Sequence, residues 1–433
     1  MFDPLELYSA DEPTRVDDAI DYEVFDKFQP EDEVLKEGLA EEEDIEEDSM
    51  VAVLDLPAFC YASAEMIGCV LLLLQPDIQV NFNADSEQDR SVEQICLEKH
   101  IPRKYLNALL LWYSDIYPNK NLNTYEKICN KIPLVRNTSQ RELLLSYYTS
   151  ILKKYESSLQ STDTTEDGQL LAQDIVKEVS LRISENCGRT AQPSMTREFK
   201  LDNLNHVIAL YEPSLTADNL GWKTWGSSLI LSQKIIDLLE KEGPQPPKNK
   251  KLRVLELGSG TGLVGISWAC KWKEQQLQKN ADADLTSSIQ IYLTDLPEIT
   301  DNLKKNVITN ELESFVVADV LDWTNPQSFI DTHTLVPFDI ILIADPIYSP
   351  MHPEWLVNMI AKFLSKDADS PRKCYLQIPI RAKYNEERTR LWSLLESNGL
   401  TVVNEEHDSG RDDWGIVDYI YKELAWKESA AHK

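Results

Sequence analysis

The hydrophobic positions follow a helical spacing in the first part of the chain. Between residues 56 and 190, apolar residues recur at intervals of three and four, which is the spacing of one helix face. Three such stripes stand out: Leu106, Leu109, Leu110, Tyr113 and Tyr117; Leu144, Tyr148, Ile151, Leu152 and Tyr155; and Leu171, Ile175, Val179 and Ile183. The pattern predicts a mostly helical domain over residues 51–195, with these stripes in its core.

After about residue 197, short apolar runs alternate with helical patterns. REFKL and HVIALYEPS are typical of short strands, and SSLILSQKIIDLLEKEG is typical of an amphipathic helix that Gly243 ends. Further strands are predicted at RVLEL, IQIYLTD, SFVVADV, FDIILIAD, CYLQIPI, LTVVNEE and VDYIYKEL, with helices near 262–274, 297–309, 354–365 and 385–398. The alternation predicts an α/β domain over residues 196–433. We expect a Rossmann-like, mainly parallel seven-stranded sheet that closes with an antiparallel hairpin.

The charge is strongly negative and unevenly distributed. The chain has a formal net charge of −30, and residues 1–50 hold twenty acidic residues against Arg15, Lys27 and Lys36. We therefore expect residues 1–50 to be a flexible, solvated segment. The same charge argues against direct nucleic-acid binding, which depends on lysine and arginine. We hypothesise that the acidic segment and the helical domain select a large basic partner.

The cysteines, the histidines and the apolar runs indicate in which compartment the protein works and which kinds of site it lacks. The seven cysteines form no CxxC pair, and the six histidines do not cluster with cysteines or acids, so we expect neither disulfides nor a metal site. The longest apolar run, 66–74, is much shorter than the roughly 20 residues of a membrane helix. The N-terminus lacks the features of a signal peptide. We expect a cytoplasmic, monomeric protein without a membrane partner.

Three glycines in five residues follow the first strand of the α/β domain, in VLELGSGTGLVGISWA. A triphosphate loop would need GxxxxGK, which is absent here. A dinucleotide fingerprint can be read from Gly260, Gly262 and Gly265, but Gly258 already closes the turn directly after the strand. The frame that fits the strand end is therefore Glu256-Leu-Gly258-Ser259-Gly260-Thr-Gly262.

This frame resembles the S-adenosylmethionine loop of class I methyltransferases. The resemblance implies that Glu256, Gly258, Ser259, Gly260 and Gly262 form the cofactor loop, where side chains would block the close approach of the backbone. It also implies two further contacts. Asp295, after IQIYLTD, would accept the ribose hydroxyls, although it could instead cap the next helix. Trp323, after the third strand, would stack on the adenine.

The fourth strand ends in ADPIY, where Asp345 and Tyr348 form an acidic-x-x-aromatic motif. Together with Trp225-Gly226, the motif resembles the seven-strand protein-lysine methyltransferases of family 16. The resemblance implies an S-adenosylmethionine-dependent transferase in which Ala344 and Trp225 lie at the cofactor. Asp345 would orient the incoming amine, although it could instead bind the cofactor or only cap the following loop, and Tyr348 would line the lysine channel. No general base is evident.

Three further segments resemble fungal methyltransferases that act on a lysine of translation elongation factor 2. They are MFDPLELY, the acidic segment and ADPIYSPMHPEW. The resemblance implies that elongation factor 2 is the partner. Two alternatives remain open: transfer to a small molecule or another protein residue, and a binding or assembly factor without turnover. ADPIY differs from the Asn/Asp-Pro-Pro-Tyr/Phe pattern of enzymes that methylate amide or base nitrogens.

Overall fold

The computed structural model of the protein describes eleven stretches of the chain. They are 51–77, 80–82, 90–137, 140–160, 165–186, 193–214, 220–244, 250–280, 284–334, 337–412 and 415–427. The prediction of a flexible segment over residues 1–50 lies outside these stretches.

The first part of the described chain is helical, as its periodicity predicts. Its helices are α1 (Ala64–Leu73), α2 (Val92–Glu98), α3 (Arg103–Ile116), α4 (Tyr125–Lys131), α5 (Arg141–Leu159) and α6 (Glu166–Asn186). Residues of all three predicted stripes are buried together, among them Leu109, Tyr148 and Val179. The helical stripes therefore form a core of their own, as expected.

A short segment of this helical part extends onto the second part. Val80 bridges Glu198 in parallel, and the Lys200 amide donates to Asn81 Oδ1 at 2.9 Å. The Phe82 ring meets the Phe199 ring edge-on at 5.7 Å. Glu198 and Phe199 belong to β1 (Met195–Phe199), which pairs antiparallel with β2 (Ile208–Glu212). The segment 80–82 thus attaches the helical part to this small sheet.

A seven-stranded sheet with helices on both faces forms the rest of the described chain. In chain order its elements are α7 (Gly226–Glu242), β3 (Leu252–Leu257), α8 (Leu263–Lys279), β4 (Ile289–Asp295), α9 (Pro297–Thr309), β5 (Val316–Val320), α10 (Gln327–His333), β6 (Ile340–Ala344), α11 (His352–Phe363), β7 (Lys373–Pro379), α12 (Asn385–Ser397), β8 (Leu400–Asp412) and β9 (Gly415–Trp426). The strand order is β5-β4-β3-β6-β7-β9-β8, and β9 alone runs antiparallel to its neighbours in this sheet. The order reverses direction at β3, beside β6, where open α/β sheets bind ligands.

Alternate residues of each central strand enter separate cores on the two faces of the sheet. Val254 packs with residues of α7, α8 and α9, whereas Leu255 packs with residues of α10, α11 and α12. This two-sided burial explains why the strands are nearly continuous apolar runs. The predicted α/β architecture and the final antiparallel hairpin are both confirmed.

Two elements are longer than the sequence predicts. Helix α8 continues to Lys279, because the polar residues after 274 lie at the surface of the last two helical turns. The β8–β9 hairpin extends to Asp412 and resumes at Gly415, well beyond the predicted end of β8 at Glu406. Backbone pairing holds this extension together without the apolar alternation on which the prediction depended.

Replacing Gly265 with alanine is expected to destabilise the sheet domain. A Cβ atom there would lie 2.1 Å from Leu293 Cδ2 and 2.6 Å from Glu256 Oε2. Alanine is the better helix former by about 1 kcal/mol, so a loss must come from this crowding. We expect the free energy of unfolding to fall by about 2 kcal/mol, measured by urea unfolding. Gly68→Ala is the control, because Gly68 also lies inside a helix, α1, and its Cβ position is an ordinary 3.7 Å from the nearest atom, Tyr105 Cε2. Equal stability of Gly265→Ala and wild type would contradict the prediction.

Candidate active site

A cavity of about 500 Å³ opens at the carboxyl ends of β3, β4, β5 and β6. The structure brings nine of the eleven predicted site residues to its wall: Trp225, Gly258, Ser259, Gly260, Asp295, Trp323, Ala344, Asp345 and Tyr348. They come from five separate stretches of sequence. The remaining two, Glu256 and Gly262, are not among the lining residues.

The glycine loop bends closely around one side of the cavity. Gly258 and Gly260 have φ values of +68° and +55°, which L side chains rarely adopt. A Cβ atom at Gly258 would lie 3.2 Å from the Trp323 ring, and one at Gly260 would lie 3.1 Å from the Gly221 carbonyl oxygen. Ser259 fixes the loop on β4, since its Oγ accepts the Thr294 amide at 3.0 Å. Glycine at these two positions therefore lets the loop pack closely against Trp323 and the Gly221 carbonyl, and the predicted contact of its backbone with a cofactor stays a prediction.

Glu256 and Gly262 lie behind this loop. Gly262 precedes α8 with φ +93°, and a Cβ atom there would lie 2.6 Å from Leu303 Cδ1. Glu256 is only 2% exposed, and its Oε2 accepts the Gly265 amide at 3.0 Å. Burial raises the pKa of Glu256 to about 8. These contacts give both residues a supporting position, and their predicted contact with a cofactor stays a prediction.

The Glu256 carboxyl is expected to make stability depend on pH. Its pKa is about 8 in the fold against 4.5 ordinarily, so the neutral form favours folding and this contribution is lost as the pH rises through 8. Glutamine retains a carbonyl acceptor for the Gly265 amide and cannot ionise. Glu256→Gln should therefore match wild type at pH 5 and unfold at a higher temperature than wild type at pH 8.5. Parallel melting curves of the two proteins across this range would contradict the assignment.

Asp295 connects the end of β4 to the glycine loop. Its Oδ2 accepts the Gly260 amide at 2.7 Å, and its Oδ1 accepts the Leu296 amide at 2.8 Å. Burial raises the pKa of Asp295 to about 6. Leu296 is the N-cap residue of α9 and its own side chain makes no capping hydrogen bond, so the Asp295 carboxylate supports the start of this helix through the Leu296 amide. The carboxylate also lines the cavity beside the loop, and its ribose role stays a prediction.

A buried ion pair fixes the segment that carries Trp225. Glu212 in β2 accepts the Thr224 amide at 3.2 Å and lies 3.3 Å from Arg197 Nε. Arg197 and Glu212 are both fully buried. Trp225 Nε1 then donates to the Leu220 carbonyl at 3.1 Å, which sets the ring against the cavity. The small sheet thus holds one wall of the site.

Asp345 stands at the other wall in a strained backbone conformation. Its φ is +49°, and its amide donates to the Gln377 carbonyl of β7 at 3.0 Å. Its side chain is 8% exposed, and Oδ2 accepts a hydrogen bond from Arg381 Nη2 at 3.3 Å. The Arg381 guanidinium also lies 5.4 Å from the centroid of the Trp225 ring. Contacts of its backbone and of its side chain therefore fix the orientation of the Asp345 carboxylate.

Tyr348 lies at the cavity mouth against a neutral histidine. Its ring is edge-on to the His352 ring with centroids 4.2 Å apart, and 38% of the residue is exposed. His352 Nδ1 lies 2.8 Å from the Pro346 carbonyl oxygen, so Nδ1 carries the proton and donates it. Burial lowers the pKa of His352, and burial raises that of Tyr348 well above its ordinary value. The mouth is therefore aromatic and uncharged at this point.

Comparison with known proteins assigns this constellation to a family. Residues 205–394 match the family described as lysine methyltransferase. The chain is 50% identical to the protein-lysine N-methyltransferase EFM2 of Saccharomyces cerevisiae, over 98% of this chain and 99% of that protein. The chain is a protein-lysine N-methyltransferase. Its cofactor is S-adenosylmethionine, which the cavity residues fit.

Other relatives match a smaller share of this methyltransferase. The protein-lysine N-methyltransferase rrg1 of Schizosaccharomyces pombe is 33% identical over 56% of this chain and 73% of its own. The structure of M. jannaschii TYW2 in complex with AdoMet aligns with a TM-score of 0.31 and 13% identity, over 53% of this chain and 86% of that one. The fold assignment rests on the strand order described above.

Several charged or polar residues of the methyltransferase cavity were not predicted from the sequence. Among them are Lys223, His352 and Arg381. A signal for Arg381 existed, because it follows the predicted strand CYLQIPI, whose carboxyl end lies at the same edge as the glycine loop. Lys223 and His352 lie next to the recognised motifs but have no pattern of their own.

Two further kinds of feature are absent from the described residues of the methyltransferase. No group of three or more histidine, cysteine, aspartate or glutamate residues is arranged to hold a metal ion. In the same stretches, no helix combines the length and the apolar character needed to cross a membrane.

Proposed function

We propose that this methyltransferase methylates a lysine side chain of translation elongation factor 2 in the cytoplasm. The observation that carries the proposal is how much of the chain the similarity covers. The 50% identity to EFM2 spans 98% of the chain, so it includes the helical part and the acidic segment as well as the sheet domain. The segments MFDPLELY and ADPIYSPMHPEW add the resemblance to fungal enzymes of elongation factor 2.

On the cofactor side, we assign roles by position in the cavity. The backbone of Gly258 and Gly260 would hold the methionine end of the cofactor, and Ser259 and Ala344 would complete that surface. Asp295 accepts hydrogen bonds from the ribose hydroxyls with the lone pairs that Gly260 and Leu296 leave. Trp323 provides the stacking face for the adenine. When bound, the cofactor supplies a methyl group activated by its sulfonium.

On the lysine side, the target amine must be neutral and in line with the methyl–sulfur bond. Asp345 accepts one N–H of the amine and thereby points the nitrogen lone pair at the methyl group. Tyr348 forms an apolar wall around the lysine stem. We extend the role of Trp225, which the sequence predicts at the cofactor, to this wall, because its ring lies beside Arg381, the partner of Asp345. With the cofactor bound, the amine nitrogen would take the methyl group, and the electron pair of the broken C–S bond would stay on sulfur. The amine proton leaves to water before the attack, since no dedicated base faces this position among the described residues.

Transfer of a labelled methyl group tests the proposal. Purified full-length enzyme and labelled S-adenosylmethionine are added to a ribosome-and-factor extract from cells that lack this enzyme. We expect one labelled band at the size of elongation factor 2, and mass spectrometry then identifies the methylated lysine. Asp345→Ala serves as the catalytic control and should label no band.

Two outcomes would redirect the proposal. A labelled protein other than elongation factor 2 would retain the lysine methyltransferase activity and change the substrate. No labelled protein at all, with cofactor binding verified by calorimetry, would overturn the proposed substrate and favour a small-molecule acceptor.

A further inference from the structure

Arg381 occupies an unusual position for a cation, because an enzyme that binds lysine has reason to exclude positive charge. Its side chain is 14% exposed, and it reaches the cavity from the loop after β7. There it contacts two proposed substrate-side residues: the Asp345 carboxylate at 3.3 Å and the Trp225 ring at 5.4 Å. Arg381 therefore contacts both walls of the cavity, where its charge can influence the reaction.

The chemistry of Asp345 shows why such a cation is useful. A carboxylate beside a lysine favours the charged ammonium, which has no lone pair and cannot attack a methyl group. The same carboxylate is needed as a hydrogen-bond acceptor that orients the amine. A fixed positive charge beside the carboxylate resolves this conflict. It leaves the carboxylate oxygens in place as acceptors, and it weakens the electrostatic stabilisation that the carboxylate gives to the lysine ammonium.

The other charged groups of the cavity do not supply this charge to Asp345. Lys223 lies 3.8 Å from the buried Glu212, which faces it from β2. The remaining acids of the wall, Asp295, Glu298 and Asp322, add negative charge and so favour the ammonium form. Tyr348 and His352 complete the titratable groups of this wall, and burial disfavours a charge on either of them. Arg381 is therefore the cation that the described structure places on Asp345.

We propose that Arg381 is a positioning residue of the methyl transfer, which holds the Asp345 carboxylate in place and offsets its charge so that the target lysine reacts as a neutral amine. The inference rests on the proposed function, since it requires a lysine in the cavity. It assigns Arg381 a role through Asp345, without direct contact with the reacting atoms. Arg381 is rigid enough for this role, because the Arg388 side chain donates to its carbonyl at 3.2 Å.

The pH dependence of kcat, which reports ionisations in the enzyme–substrate complex, separates this role from a merely structural one. Arg381→Met retains an apolar stem on Trp225 and removes the charge. We expect the rising limb of its pH profile to move to higher pH by about one unit, so that its deficit of roughly tenfold near pH 7.5 shrinks towards pH 10. Arg381→Lys should retain a midpoint near that of wild type. Lys383→Met, which removes an exposed cation from the same loop, should leave the profile unchanged.

Calorimetry and crystallography complete the test. Cofactor affinity of Arg381→Met is expected to stay within about threefold of wild type, and its crystal structure should show the Asp345 carboxylate turned from its original rotamer. A deficit that is equal at every pH, a large loss of cofactor affinity, or an unmoved Asp345 would each overturn the inference. If wild type methylates no protein, the proposed function fails, and the position of Asp345 in the two crystal structures still decides whether Arg381 positions it.

Discussion

Replacing Asp345 with alanine is expected to lower kcat for lysine methylation at least about a hundredfold while cofactor affinity changes less than threefold. The carboxylate lies at the end of β6, and Gln377 and Arg381 fix its backbone and side chain. Loss of an oriented acceptor at the reacting centre typically costs two to three orders of magnitude in rate. Initial rates with labelled S-adenosylmethionine and calorimetric titration of the cofactor measure the two quantities.

The backbone of Asp345 requires a second variant as control. At φ +49°, alanine introduces a strain of roughly 1 kcal/mol that has no connection with chemistry. Glycine removes the carboxylate without this strain. We therefore expect Asp345→Gly to be as inactive as Asp345→Ala, and Asp345→Asn, which retains one acceptor oxygen and tolerates this backbone, to be intermediate. Recovery of activity in the glycine variant would remove the carboxylate from the mechanism.

Replacing Asp295 with alanine is expected to weaken S-adenosylmethionine binding by about a hundredfold. The variant loses a charged acceptor for the ribose hydroxyls and leaves the Gly260 amide without its partner at 2.7 Å. Two charge-assisted hydrogen bonds of 1.5 kcal/mol or more account for a loss of roughly this size. Calorimetry on the full-length protein measures the dissociation constant directly, independently of any protein substrate.

The pKa of Asp295 supplies a second readout for the same role. Because burial raises this pKa to about 6, the carboxyl gains a proton as the pH falls below 6 and loses acceptor capacity. The dissociation constant of wild type should therefore rise below pH 6. Asp295→Asn should bind the cofactor weakly, with a dissociation constant that is nearly independent of pH. Asp301→Asn, at an exposed position of α9, is the control for charge alone. A wild-type affinity in Asp295→Ala would exclude the ribose role.

The strands that form the sheet were predictable from the sequence for a physical reason. A strand buried on both faces must be apolar throughout, so RVLEL and FDIILIAD stand out without any structure. The extension of β8 beyond Glu406 lacks this signature, because its residues are polar and its stability comes from backbone pairing with β9. The pairing of segment 80–82 with β1 likewise could not be predicted from the sequence, since it depends on residues more than a hundred positions away.

The candidate site likewise contains residues that could be predicted from the sequence and residues that could not. Residues at the ends of predicted strands, such as Asp295 and Asp345, could be assigned because carboxyl ends of parallel strands meet at one edge. Glu256 shows the limit of this reasoning: the sequence places it at a strand end, but the structure turns its side chain towards Gly265 and away from the cavity wall. Which face a strand-end side chain takes depends on neighbouring packing, which one-dimensional spacing does not record.

The strand order of the sheet also sets the order in which the protein can be completed during synthesis. Strand β9 (Gly415–Trp426) follows both β7 and β8 along the chain, yet it lies between them in the sheet. Until β9 has emerged from the ribosome, β7 has an unpaired edge and β8 has no strand to join. The loop that carries Arg381 leaves β7 at that same edge, where the Ile380 amide donates to the Asp418 carbonyl. A nascent chain can therefore form its helical part early, but it acquires a finished catalytic wall only after the final strand is inserted.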